Sequence, residues 1–196
     1  MALQSAKQQG NTLIEFMIAS LVGAMALAII GSVFLSNQKT ALQRSKEIML
    51  LQQMNSVMLQ MKKDIQRAGF DGVNPMSMML SGSTSIIHTQ SDRLAYVYRK
   101  STNKTSNTVY RLDNGMFKYC HNDADIPLNI NSAVSGCFNL FDPEQIKVSQ
   151  FDISNNKLLG SGVESAFISI TLAAELKNDP SISHTMSLKV QQRNWQ

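Results

Sequence analysis

The stretch GNTLIEFMIASLVGAMALAIIGSVFL, residues 10 to 35, decides the fold. No residue from Phe16 to Gln38 is charged, and residues 13 to 35 are nearly all apolar or small. About 20 apolar residues are enough for a helix to cross the hydrocarbon core of a bilayer. The sequence therefore predicts a transmembrane or similarly enclosed helix over residues 11 to 38.

The residues before this stretch differ from a conventional secretory signal. Met1 to Gly10 is short and polar, carries one basic residue and has no apolar region of its own. A conventional signal places its apolar region before the cleavage site, within the removed piece. If a peptidase cuts between Gly10 and Asn11 instead, the apolar helix stays on the mature protein. We therefore interpret residues 1 to 10 as a leader peptide.

Glu15 is a carboxylate near the start of the apolar helix, where a charge is costly unless it has a partner. Cleavage after Gly10 would create such a partner, the α-ammonium of Asn11. The two groups could meet within one chain, or between neighbouring subunits of an assembly. We interpret Glu15 as a subunit-assembly residue. The alternative is that it only complements the helix N-terminus at the membrane interface.

The apolar helix also offers a packing face of small residues. These recur every four positions at Ser20, Ala24, Ala28 and Ser32. Such small-xxx-small spacing lets helices approach each other closely in a membrane. Membrane spans are rich in small residues in any case, so general composition is the alternative explanation.

After Gln38 the helical pattern continues in amphipathic form over residues 39 to 69. Apolar residues follow three- and four-residue spacing at Leu51, Met54, Met58, Met61, Ile65 and Ala68. Gly69 then fits a helix C-cap. The pattern predicts one helix from Thr12 to Ala68, whose second half packs its Met and Leu stripe into a head rather than around a ligand.

Residues 70 to 196 alternate short apolar runs with Ser, Asn, Gly and Asp, which is typical of strands and turns. Asp113-Asn114-Gly115 is a hairpin signal between two of the runs. We predict an α+β fold, in which an antiparallel sheet packs on the long helix. Ser101 to Asn107 and Asn129 to Ser135 are predicted as loops, and Asp142 to Gln145 as a capped helical turn. The predicted strands are 93–98, 108–112, 116–119, 145–148, 167–172 and 186–190.

The formal charge of +4 is concentrated in the helix. Residues 39 to 67 contain six cations and two carboxylates, whereas eleven of each follow from Ala68 onward. A head that binds nucleic acid is more often basic itself. Direct nucleic-acid binding is therefore not expected.

Motifs for catalysis are missing from the sequence. It contains no phosphate-binding loop, nucleophile elbow, HExxH zinc motif or dinucleotide fingerprint, and its three histidines, His88, His121 and His184, are far apart. We interpret each histidine as a surface or hydrogen-bonded residue. Asn122, Asp123 and Asp125 lack EF-hand spacing and are predicted to form a solvated loop. We expect no enzyme activity, cofactor or metal.

Two cysteines, Cys120 and Cys137, would close a loop of eighteen residues if they were paired. A zinc site would need further ligands at regular spacing, and only His121 adjoins either cysteine. Spacing alone does not establish a bridge. A head in an oxidising compartment would favour a disulfide over a metal site.

The segment from Gly10 to Ala19, GNTLIEFMIA, resembles the class III signal of type IV pilins and pseudopilins. That signal combines a glycine at the cut, a glutamate at the fifth mature position and an apolar helix. Two further segments resemble the PilW-type minor pilins. DIQRAGFDG, residues 64 to 72, is similar to the end of that family's N-terminal helix, and residues 187 to 194 resemble its terminal strand and Arg-Asn ending. The resemblance covers about the first 72 and the last 10 residues.

This resemblance implies a minor pilin that initiates or primes assembly of a type IV pilus. It implies cleavage after Gly10 and methylation of Asn11, although pilins usually begin with an apolar residue. The implied partners are the prepilin peptidase, the major pilin, other minor pilins and the inner-membrane assembly machinery. The implied location is a single pass through the inner membrane with a periplasmic head. Alternatives are a J-type minor pseudopilin of type II secretion, or a simple signal-anchored periplasmic domain.

Overall fold

The computed structural model describes residues 12 to 195. A long helix comes first and two antiparallel sheets follow, so the predicted α+β class is confirmed. The chain divides into two compact units, one up to Ser45 and one from Lys46.

Helix α1 runs from Leu13 to Arg67, within one residue of the predicted bounds. Its first part, up to Ser45, is exposed throughout. By length and composition it is apolar enough to cross a membrane.

The part of α1 within the second unit carries the predicted apolar stripe into a core. Met54, Met58, Met61 and Ile65 are all buried, which confirms the prediction of a core role. Leu50, rather than Leu51, extends the stripe toward the N-terminus because it is fully buried. These side chains contribute to one apolar cluster together with residues from both sheets.

The first sheet has five strands in the order β1-β2-β3-β4-β5, and the second has three in the order β6-β7-β8. A short helix, α2, runs from Ile130 to Ala133, between β4 and β5. The strands are β1 Ile87–Gln90, β2 Arg93–Ser101, β3 Lys104–Asp113, β4 Met116–Ala124, β5 Cys137–Asn139, β6 Ile146–Leu159, β7 Glu164–Leu176 and β8 Asp179–Gln191.

Both faces of the first sheet are covered. Leu94, Tyr96 and Tyr110 point to the main core that contains α1. Alternate residues such as Ala95 and Val109 point the other way, into a smaller cluster with Met78, Leu80, Cys120 and Ala133. We call this second side the outer face of the first sheet.

Two local predictions were wrong. Ser101 to Asn107 was predicted as a loop, but most of it belongs to the β2–β3 hairpin. Thr105 and Asn107 are buried there because strand neighbours satisfy them: the Thr105 hydroxyl donates to Ala124 O at 2.9 Å. The segment from Asn129 to Ser135 contains α2, which begins where the Asn129 side chain accepts a hydrogen bond from Ser132 N.

The hairpin prediction at Asn114-Gly115 is confirmed. Both residues have positive φ, 51° and 78°, as a two-residue type I′ turn requires. The capped turn predicted at Asp142 to Gln145 is confirmed, because the Asp142 carboxylate accepts from Glu144 N at 2.9 Å and Asp142 O accepts from Ile146 N at 2.9 Å.

Candidate assembly site

The start of α1 holds Glu15 in a reciprocal hydrogen-bonded arrangement. Thr12 N donates to Glu15 Oε2 at 2.9 Å, and Glu15 N donates to Thr12 Oγ1 at 3.4 Å. This is a capping box, in which each side chain satisfies a backbone N–H that the helix leaves unpaired. The Thr-x-x-Glu pattern at residues 12 to 15 is the sequence signal from which this capping box could have been predicted. The predicted cleavage residues Gly10 and Asn11 lie outside the described residues.

The small-residue stripe has internally satisfied hydroxyls. Ser20 Oγ donates to Phe16 O at 2.8 Å, and Ser32 Oγ donates to Ile29 O at 2.8 Å. Both hydroxyl groups of the stripe are therefore paired with backbone carbonyls of the same helix. Together with Ala24 and Ala28, whose side chains are also exposed, it forms a narrow face along the helix.

Large apolar side chains surround this face, and they are also exposed because no other part of the described chain packs on them. Leu13 and Phe16 are 76% and 71% exposed. Contiguous apolar surface of this extent marks contact with a membrane or with other proteins. This part of α1 is therefore suited to lipid, to other helices, or to both in turn.

Within the second unit, the end of α1 is fixed by a buried carboxylate. Asp64 is 3% exposed and accepts hydrogen bonds from Tyr110 Oη at 2.6 Å and from Arg67 Nη2 at 2.6 Å. Burial and the nearby Asp64 carboxylate raise the pKa of Tyr110 far above its ordinary range, so its hydroxyl stays a donor. The Arg67 guanidinium also lies 4.3 Å from the centre of the Tyr98 ring.

Gly69 ends the helix and joins it to the first sheet. Its φ of +78° is the left-handed conformation expected after a helix C-terminus. Gly69 N donates to Val97 O at 2.8 Å, and Gly69 O accepts from Met78 N at 2.8 Å. A Cβ here would lie only 2.5 Å from Ile86 Cγ2, so both the conformation and the contact require glycine.

Asp71 holds the next turn against β2. Its carboxylate accepts from Arg99 Nε and from Asn74 Nδ2, and Arg99 N donates to Phe70 O at 2.7 Å. The hydrogen bond from Arg99 lowers the pKa of Asp71 below its usual value, against the opposing effect of burial.

The C-terminal segment returns to the same place. Asn194 Nδ2 donates to Ala68 O at 2.7 Å, which satisfies a carbonyl at the end of α1. Gln192 orders this segment, since its N donates to Ala166 O and its Nε2 donates to Asn194 O, both at 2.8 Å. We call the contact between residues 64–72 and 192–194 the helix-exit junction. Both segments carry the family resemblance in the sequence, but their contact follows only from the tertiary structure.

Cys120 and Cys137 form a disulfide between the directly paired positions of β4 and β5. The prediction of a solvated loop was wrong for Asn122 and Asp123, which belong to a strand, but it is confirmed for Asp125, whose side chain is 78% exposed. Asp123 lies in β4 and accepts from Lys100 Nζ at 2.7 Å, and Asp125 accepts from Lys104 Nζ at 2.7 Å.

Two family models match the chain, one over its N-terminal part and one over most of the rest. The prokaryotic N-terminal methylation motif matches residues 5 to 31, which include Glu15 and three of the four residues of the small-residue stripe, Ser20, Ala24 and Ala28. The family model of prepilin peptidase-dependent protein B matches residues 43 to 192, about three quarters of the chain. The chain belongs to the prepilin peptidase-dependent protein B family. No curated protein and no solved structure matches it.

Membership of the prepilin peptidase-dependent protein B family places the chain among pilin-like proteins, which are structural proteins. The family match begins within α1 and contains most of the helix-exit junction. The methylation motif covers most of the apolar part of the same helix, which fits a membrane-anchored pilin.

Proposed function

We propose that this protein is a minor pilin that helps to initiate assembly of a type IV pilus. The observation that carries the proposal is the succession of two matches on one chain: a methylation motif over residues 5 to 31 and a prepilin peptidase-dependent protein B match over residues 43 to 192. In this proposal, prepilin peptidase removes residues 1 to 10, and Asn11 becomes the methylated N-terminus. The head lies in the periplasm until the subunit enters a filament.

Glu15 has a distinct role before and after processing. In the described structure its carboxylate accepts from Thr12 N, so its charge is stabilised by the first turn of the helix. Cleavage would place a new α-ammonium one residue before Thr12. In an assembly of apolar helices that exclude water, a carboxylate and an ammonium from neighbouring subunits would neutralise each other. Glu15 would then set the axial position of each incoming helix.

The packing of subunits would use the stripe formed by Ser20, Ala24, Ala28 and Ser32. Small side chains allow close approach of helix backbones, and the two hydroxyls are already bonded within the helix. The stripe can therefore move from lipid to protein contact without breaking a hydrogen bond.

The assignment to minor pilins of the PilW type rests on the helix-exit junction. Both segments that resemble that family contribute to it, and they make direct contact through Asn194 and Ala68. The junction anchors the end of the helix to the head through side chains rather than through chain connectivity alone. A subunit that transmits force or orientation between a helical core and a head benefits from such an anchor. The major pilin and other minor pilins are the proposed partners.

The test is piliation of a strain that lacks the gene. The strain is complemented with the wild-type chain, with Glu15→Gln, and with Glu144→Gln as a matched change at an exposed carboxylate of the head. Electron microscopy counts surface pili, and immunoblotting measures the amounts of this chain and of the major pilin.

We expect few pili without the gene, recovery with the wild-type and Glu144→Gln chains, and poor recovery with Glu15→Gln at equal amounts of protein. Full piliation without the gene would contradict a role in pilus assembly. Loss of type II secretion with intact piliation would instead identify a minor pseudopilin.

A further inference from the structure

Three cations lie side by side across the outer face of the first sheet. The strand register pairs Arg93 with Arg111, and Arg111 with Lys118. On the other side of Arg93, the directly paired residue is Gln90. We call Arg93, Arg111 and Lys118 the cation row. Their side chains are only 22% to 26% exposed.

This arrangement opposes folding unless anions compensate it, because like charges at directly paired strand positions repel. Asp113 compensates one end of the row, where it lies 2.7 Å from Lys118 Nζ and 3.2 Å from Arg111 Nη2. The hydrogen bond from Lys118 lowers the pKa of Asp113, which therefore remains charged. The row is neutralised best at this end.

Arg93, at the other end, has a weaker partner. Its Nε lies 3.7 Å from Asp92 Oδ1, which is beyond hydrogen-bond distance. Among residues 12 to 195, the buried Nε atoms of Arg93 and Arg111 have no hydrogen-bond partner, and neither does His88 Nε2. The expectation of a hydrogen-bonded His88 was therefore wrong for this atom. A partly buried guanidinium whose nearest carboxylate is this distant is costly, and a bound anion would reduce that cost.

Arg93 also borders a cavity of about 480 Å³. The volume lies in the range of small-molecule sites. Apart from Arg93, the polar lining consists of hydroxyl and amide side chains, and no carboxylate of the described residues lines it. These polar residues are Ser81, Gln90, Asn129, Asn131 and Ser132.

We propose that this cavity binds a small polyhydroxylated anion, such as an acidic sugar or a sugar phosphate, with its anionic group on Arg93. A guanidinium presents a planar pair of donors that match a carboxylate or a phosphate. Amide and hydroxyl side chains can both donate to and accept from sugar hydroxyls. The proposal goes beyond filament assembly because it gives the head a ligand of its own.

A nucleic-acid strand fits this surface less well. A polyanion would need a series of free cations along its backbone. Here the Asp113 carboxylate already forms ion pairs with Arg111 and Lys118, and the Asp92 carboxylate lies beside Arg93. One guanidinium at the edge of an open polar cavity favours a small ligand with a single anionic group.

The experiment uses the full chain in detergent and isothermal titration calorimetry at constant ionic strength. The probes are glucuronate, glucose 6-phosphate, glucose and a single-stranded oligonucleotide. Glucuronate and glucose 6-phosphate distinguish a carboxylate ligand from a phosphoester, and glucose tests whether the anionic group is required.

The variants are Arg93→Gln, Asn131→Ala and, as a matched loss of one positive charge elsewhere on the same sheet, Lys104→Gln. Asn131 is exposed, so Asn131→Ala tests the cavity without a change in any strand. Near-ultraviolet circular dichroism checks that each variant is folded.

We expect at least one of the two anionic sugars to bind, and glucose to bind more weakly. Arg93→Gln should weaken binding by about 10- to 100-fold, the usual effect of losing a hydrogen bond to a charged group. Asn131→Ala should weaken it less, and Lys104→Gln should leave it unchanged. If Arg93→Gln does not fold, weakening by Asn131→Ala supports the proposal and unchanged binding overturns it. Binding of neither sugar, equal weakening by Arg93→Gln and Lys104→Gln, or preference for the oligonucleotide would also overturn it.

Discussion

Replacement of Gly69 by alanine tests the helix-exit junction most sharply. Gly69 combines two requirements, a φ of +78° and a close approach to Ile86. Gly82 offers a matched control, since its φ is +79° but an added Cβ meets no atom of the described residues within 4 Å. Comparison of the two alanine variants separates the conformational cost from the packing cost.

The magnitudes follow from these two terms. A residue with a Cβ in the left-handed conformation costs roughly 1–2 kcal/mol. Gly82→Ala should therefore lower the free energy of unfolding by about this amount. At Gly69 the Cβ would lie 2.5 Å from Ile86 Cγ2, and overpacking of a core typically adds about 1–3 kcal/mol. Gly69→Ala should thus cost roughly 2–5 kcal/mol in total.

The assay is urea unfolding of the full chain in detergent, followed by near-ultraviolet circular dichroism of the buried tyrosines Tyr96 and Tyr110. A double variant with Ile86→Ala completes the cycle. It should recover the packing part of the Gly69→Ala cost, because the colliding methyl group is gone. Equal costs at Gly69 and Gly82, or a Gly69→Ala cost that Ile86→Ala does not change, would refute this reasoning.

Three further predictions concern the second unit. Asn194→Ala should lower the free energy of unfolding by about 1–3 kcal/mol, because the carbonyl of Ala68 at the end of α1 loses its hydrogen-bond donor. Urea unfolding measures this change, and an unchanged midpoint would contradict the capping role of Asn194. Burial lowers the pKa of His88 from its ordinary value of 6.5, so the unfolded state binds the proton more readily. The free energy of unfolding should therefore fall as pH drops below 6.5, and His88→Gln should flatten this dependence in a pH series of unfolding curves. Replacement of both Cys120 and Cys137 by serine should lower the free energy of unfolding by about 3 kcal/mol, because the disulfide no longer closes the loop in the unfolded chain. Thermal unfolding measures this, and equal stability of the variant and the wild-type protein would count against it.

The sequence was most informative where one local rule decides the conformation. The apolar run, the Met stripe and Gly69 predicted α1 almost to the residue, because helix periodicity and C-capping are local. Asn114-Gly115 predicted its hairpin for the same reason, since few residues adopt positive φ at two successive positions.

The division of the strands into two sheets was not predictable in this way. Strand patterns show which residues alternate but not which strands pair. Thr105 and Asn107 belong to a strand that is buried through hydrogen bonds rather than apolar contacts, so their polarity suggested a loop. Helix α2 is only four residues long and depends on its Asn129 cap, which a periodicity search does not detect.

The helix-exit junction shows the same limit for the candidate site. Residues 64 to 72 and the Arg-Asn ending were recognised as separate segments, but Asn194 and Ala68 are 126 positions apart. Their contact depends on where β8 ends relative to α1, which is a tertiary property. The cation row was missed because no single segment contains it, and only the strand register brings Arg93, Arg111 and Lys118 together.

The central claim is that this chain is a processed pilin, and the N-terminus of the mature protein tests it most directly. The measurement is intact mass and N-terminal sequencing of the membrane-extracted protein, produced with and without prepilin peptidase. The account predicts a new N-terminus at Asn11 that appears only with the peptidase. Retention of residues 1 to 10 under both conditions would contradict it.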